Sequence, residues 1–232
     1  MVFMGETSNQ DAQTECHALK SIVLVGNHLP RLCGIATFTT HLLESIALKA
    51  PDVDCWAVAM NDQPEGYDYP DQVRLEINQD QLKDYSLIAD QLNFNHVDVV
   101  CVQHEYGIFG GQRGSFILEL LSDLKTPIVT TLHTILKDPS ERERQIIMRL
   151  AELSDRLVVM SERSVDFLRS IYRVDKDKIV LIHHGIPDVP LIDSSNYKAK
   201  FGIAEKKVLL TFGLLSPGKG IETVIDALLA LI

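Results

Sequence analysis

The sequence predicts an α/β protein built on a doubly wound parallel sheet, and three observations carry that expectation. Short runs such as Ser21–Val25 (SIVLV) and Asp98–Gln103 (DVVCVQ) are continuously apolar rather than alternating, as expected of strands covered on both faces. Each run is followed within a few residues by a longer amphipathic segment of helical spacing. Strand and helix then alternate along the chain, which is the signature of parallel strands joined by helical crossovers.

Taken in order, Ser21–Val25 is the first strand, followed by a loop from Gly26 to Gly34. A helix over 35–49 places Phe38, Leu42, Leu43 and Ile46 on one stripe. Strands follow at Val53–Met60 and Val73–Ile77, and Asn78 is read as the cap of a helix burying Leu82, Tyr85, Ile88, Ala89 and Leu92. Asp98–Gln103 is a strand, Ser115–Leu124 a helix, and Pro127–Leu132 a strand whose proline sits at its start, where no ladder donor is lost. Asp138-Pro139 reads as a helix opening, with Ile146, Ile147, Leu150 and Leu153 turned inward. Arg156–Met160 is a strand, Ser161 an N-cap, and Ile179–Ile182 the last strand of this half.

The organisation expected from this is a flexible tail over 1–20, a domain over 21–182 and a turn-rich linker over 183–205. The start of a second domain over 206–232 follows, made of a strand at Val208–Phe212 and a helix at Ile221–Leu231. One βα unit cannot bury its own faces, so this part is expected to belong to something larger or to pack on the first domain.

Composition narrows the functional classes. With 22 Lys and Arg against 32 Asp and Glu the formal net charge is −10, which argues against a nucleic-acid partner. Cys16, Cys33, Cys55 and Cys101 form no metal-binding spacing, so no metal site is expected, and a reducing, cytoplasmic setting is. No apolar run approaches bilayer length, so any membrane association is expected to be peripheral.

In open α/β sheets ligands sit beyond the carboxyl ends of the strands, so the loops there are the ones to read. The first, GNHLPRLCGIATF, brings Gly34 and Ile35 to a helix N-terminus, where free amides suit an anion and glycine permits close approach or close packing. It is neither a GxGxxG fingerprint nor a phosphate-cradling GxxxxGK loop. The second, QHEYGIFGGQRGSF, sets His104, Glu105 and Tyr106 directly after a buried strand and reads as a mobile glycine-rich loop shaping a polar pocket. His104 is a candidate proton carrier there. His133 ends another buried strand and is the candidate catalytic residue. Ser161, beside Arg163, fits a binding role or a plain cap. His183-His184 is read as a hinge rather than a metal site. Finally TFGLLSPGKGIET combines a strand, Gly213, a turn and Lys219 in a pattern suited to a diphosphate.

Six blocks in register, PRLCGIATF, VVCVQHEYGIFGG, PIVTTLH, DRLVVMSERS, VLIHHGI and LLTFGLLSPGKGIETVIDAL, resemble the retaining glycosyltransferases of family 4. Those enzymes have two facing Rossmann-like domains, the GT-B architecture. The resemblance implies an amino-terminal acceptor-side domain and the beginning of a nucleotide-sugar domain. It implies transfer of a hexose, mannose or glucose, from a nucleotide-diphosphate sugar to a sugar or lipid-linked acceptor. It further implies that no cofactor is needed, with GDP-mannose as the donor to expect. By position, the Gly34 amide would meet the donor diphosphate together with Gly213 and Lys219, His133 would approach the transferred sugar, and Ile35, His104, Glu105, Tyr106 and Ser161 would line the cleft. Two departures accompany this: Leu214 stands where the family usually has arginine, and the later acidic pair has no counterpart. The 232 residues alone are therefore expected to be inactive or, alternatively, to act as a non-catalytic glycan-binding domain.

Overall fold

The computed structural model describes residues 19–186, 189–190, 192–213 and 219–228. The chain divides into two compact units between His183 and His184. Residues 1–18 of the tail expected over 1–20, Leu214 and the last residues of the expected final helix lie outside the described residues.

The first unit holds a seven-stranded sheet, β1 (Ser21–Gly26), β2 (Asp54–Asn61), β3 (Val73–Asn78), β4 (Val99–His104), β5 (Ile128–Leu132), β6 (Arg156–Val159) and β7 (Ile179–Leu181). The strand order is β3-β2-β1-β4-β5-β6-β7 and every neighbouring pair is parallel. Five helices complete the unit: α1 (Gly34–Lys49), α2 (Leu82–Phe94), α3 (Ile117–Asp123), α4 (Glu141–Leu153) and α5 (Glu162–Ser170).

Alternation along the strands separates two apolar layers. Val23, Val25, Val58, Met60, Val100 and Val102 point into the larger one, which includes Tyr85 and Leu92 of α2, Leu120 of α3, Ile146 and Leu150 of α4, and Leu168 of α5. Ile22, Leu24 and Ala57 face the other way onto Leu43 of α1. Helices on both faces explain why the strands read as continuously apolar. Carboxylates pin strand starts at the amino edge: Asp98 accepts from the Ser21 amide at 2.9 Å, and Asp155 from the Ile128 amide at 2.9 Å.

Two expected helix starts are corrected. Helix α2 begins after Gln81 rather than at Asn78, because the Asn78 amide donates to the Asp84 carboxylate and its side chain accepts from Asp80, which closes a turn before the helix. Helix α4 begins after Ser140 rather than at Asp138-Pro139. The Ser140 hydroxyl accepts from the Glu143 amide while the Glu143 carboxylate accepts from Ser140, a reciprocal cap that outcompetes the proline signal.

The glycine-rich segment after β4 is packed rather than mobile. The Gly110 amide donates to the Tyr85 hydroxyl at 2.9 Å, and Arg113 pairs with the buried Glu143 at 3.2 Å. A Cβ on Gly110 would lie 1.7 Å from the Gln79 carbonyl oxygen, so glycine is needed there for contact, not for motion.

In the second unit, the segment read as a turn-rich linker contains helix α6 (Ser194–Lys200), capped by Asp193, whose carboxylate accepts from the Ser195 amide at 2.9 Å. Helix α7 (Ile221–Leu228) follows where a helix was expected. Val208–Phe212, expected as a strand, forms none, and Leu209, Leu210 and Phe212 are exposed. An isolated apolar run has no ladder without a neighbouring strand to pair with. No described helix is long and apolar enough to cross a membrane.

Candidate active site

Strand order reverses between β1 and β4, since the chain leaves β1 toward β2 and later returns to β4 on β1's other side. Loops that diverge from two adjacent carboxyl ends open a crevice, and this switch point is where a doubly wound sheet takes its ligand.

On the β1 side, a polar net holds the loop. Asn27 is fully buried and donates to Cys33 Sγ at 3.1 Å, while Arg31 donates to Asn27 Oδ1 and to the Met60 carbonyl, each at 3.1 Å. Arg31 also pairs with Asp62 at 3.0 Å, which ties the loop to the end of β2. This net fixes where α1 starts. Cys33 caps the helix, its sulfur accepting from the Ala36 amide at 3.3 Å. The Gly34 and Ile35 amides in the same first turn have no acceptor among the described residues. Gly34 is exposed, and a Cβ placed on it would meet nothing within 4 Å. Ile35 is half-buried against the large core.

On the other side, β4 and β5 are cross-tied at their ends. The His133 amide donates to the His104 carbonyl at 3.0 Å, and His133 Nε2 lies 3.0 Å from Gln103 Oε1. The Phe38 ring from α1 meets the His133 ring edge-to-face, with centroids 4.7 Å apart. Phe38 and His133 thus bring α1 and β5 together across the mouth of β4. The half-buried Glu105 accepts from the Thr134 hydroxyl through one oxygen and from the Tyr106 amide through the other.

Several sequence-nominated residues sit elsewhere. His104 is fully buried under the crevice, its ring stacked on Phe109 at 6.0 Å and edge-on to Tyr106 at 5.2 Å. Burial, reinforced by His133, drives its pKa down to about 3, so it is a neutral core histidine and not a proton carrier. Tyr106 is buried as well, with desolvation raising its phenol pKa, and so belongs to the core rather than to a cleft wall. The burial of His104 follows from strand alternation: Gln103 faces the α1 side, so its successor turns into the opposite layer. Ser161 is the N-cap of α5, accepting from the Ser164 amide at 3.2 Å. Gly213 and Lys219 are exposed residues of the second unit.

Sequence reading missed Gln103 as the partner of His133, and the Asn27–Arg31–Asp62 net. The signal for Gln103 was present: a polar residue ends an otherwise apolar buried strand. No group of three or more His, Cys, Asp or Glu among the described residues is arranged to hold a metal.

A parallel α/β sheet with its crevice at β1 and β4 defines a Rossmann-like domain, and solved structures similar to it include glycosyltransferases. The profile of Glycosyltransferase Family 4 matches residues 33–188, and the chain belongs to that family. A glycosyltransferase from Rickettsia africae superposes with a TM-score of 0.59 at 17% identity, covering 92% of this chain and 57% of its own. A lipopolysaccharide outer core galactosyltransferase gives a TM-score of 0.54 at 10% identity, covering 74% of this chain and 48% of its own. The chain thus spans about half the length of these solved relatives. No curated protein is significantly similar to it.

Proposed function

We propose that the chain forms the acceptor side of a glycosyltransferase that moves a hexose, mannose or glucose, from a nucleotide-diphosphate sugar to a sugar or lipid-linked acceptor with retention. The observation that carries this reading is the exposed first turn of α1, where the Gly34 and Ile35 amides lack acceptors and no side chain overhangs Gly34. Uncapped amides at the start of a 16-residue helix attract an anion, and the bare Gly34 lets a diphosphate come into contact with the main chain.

His133 then accepts a hydrogen bond from a hydroxyl of the transferred sugar through Nδ1, since its ring lies at the same crevice against Phe38. Glu105 braces the floor through Thr134. Lys219, following Gly213 in the second unit, supplies the ammonium that balances the departing nucleoside diphosphate, and GDP-mannose is the donor the family resemblance suggests. The broken bond is the one from the sugar's anomeric carbon to the phosphate oxygen. The acceptor oxygen bonds to the same face of that carbon, and its proton leaves with the diphosphate.

Calorimetric titration with GDP and UDP tests the reading. The unmodified chain binds at least one of them, and Gly34→Ala weakens that binding by about tenfold or more while Tm stays within about 1 °C, because the new methyl meets ligand and not protein. Equal affinity in the two proteins, or no response to either nucleotide, overturns it. Glycan binding without any nucleotide response supports the non-catalytic alternative instead.

A further inference from the structure

We propose that Gln103 is a positioning residue for His133, fixing the orientation of its imidazole and keeping the ring proton on Nε2. The inference rests on the reading of His133 as a crevice residue, but the geometry behind it is independent of any ligand.

Gln103 is fully buried at the end of β4, and its Oε1 lies 3.0 Å from His133 Nε2. An amide oxygen only accepts, so His133 Nε2 carries the proton and donates. On the β1 flank the glutamine stem is seated against bare Gly26, where a Cβ would sit 3.0 Å from Gln103 Cβ. Strand register supplies the other restraint. Gln103 pairs with Thr131 and His104 with Leu132, and the ladder is prolonged by the His133 amide donating to the His104 carbonyl. Both the main chain and the ring of His133 are therefore referred to β4, while Phe38 closes against the ring.

Two features argue that this is more than packing. The remaining polar atom of the glutamine, Nε2, is buried without a partner among the described residues. Such an orphan carries a desolvation penalty that leucine or methionine of similar size would avoid. The amide is also neutral. A carboxylate at this position would stabilise the imidazolium, whereas glutamine orients the ring and leaves its charge alone.

The test is a long-range 1H–15N spectrum of the ¹⁵N-labelled chain at about pH 8.5, above the ordinary histidine range. The expected result is His133 with Nε2 protonated, and a collapse of that preference to a mixture of tautomers in Gln103→Leu. The isosteric Gln103→Glu is expected to keep the orientation and to move the His133 titration to higher pH. Unchanged His133 ring shifts in Gln103→Leu, or a titration in Gln103→Glu that does not rise, overturn the proposal. The glutamate variant keeps the test decisive if the leucine variant does not fold. Neither measurement needs donor or acceptor, so a failure to bind nucleotide counts against the transferase reading and leaves this outcome to be judged separately.

Discussion

His104 lies between Phe109 and Tyr106 with both ring nitrogens lacking a hydrogen-bond partner among the described residues. Its pKa falls to about 3 through desolvation, against an ordinary value near 6.5 in the unfolded chain. As pH drops below 6.5 the unfolded chain takes up a proton that the folded one refuses until about pH 3, so stability is lost on acidification across that window. At pH 5 the loss from this group is about 2 kcal/mol relative to pH above 7. Urea midpoints at pH 7.5 and pH 5 should show it, and His104→Leu should flatten the difference between them. A slope unchanged by that substitution would mean that His104 is hydrated or paired in solution.

Elements in this fold are set by side-chain partners as much as by helical pattern. Ser140 and Glu143 cap α4 reciprocally, and the Glu143 carboxyl is held below its usual range by the Ser140 hydroxyl and amide, with Arg113 assisting. Ser140→Ala should cost about 1 kcal/mol in chemical denaturation and fray the first turn of α4 in hydrogen exchange. The glycine-rich segment makes a harsher case. Gly110→Ala would drive a methyl into the Gln79 carbonyl, and the backbone would have to move away from Tyr85. A loss of about 3 kcal/mol or more is expected, readable as a lowered urea midpoint, whereas Gly107→Ala, with nothing within 4 Å, should be nearly silent.

At the scale of the whole molecule, the two units differ in what they bury. The first closes a seven-stranded sheet between two apolar layers, whereas the second exposes Leu209, Leu210, Phe212 and Ile225. A chain ending at His183 should therefore keep cooperative thermal unfolding, with Tm within a few degrees of the 232-residue protein. Loss of cooperativity in that shortened chain would show that the first core depends on residues beyond it.

The alternation of apolar strands and amphipathic helices, the carboxyl-edge position of His133 and the helix onset at Gly34 were legible in the chain itself. They follow from local periodicity and from the rule that strand ends carry ligands. Helix starts at Gln81 and Ser140 were not, because Asn78 and Pro139 give equally good local signals and the choice falls to carboxylates three to six residues away. Nor was the fate of the His-Glu-Tyr run, where alternation sends His104 into the core and gives Gln103 the contact with His133. Pattern along the chain marked the strands of the first unit, whereas Val208–Phe212 carries the same pattern and forms no strand. Only the register of β4 against β5, and the seating of Gln103 against bare Gly26, decide which side chain reaches the crevice, because those contacts join residues 28 or more positions apart.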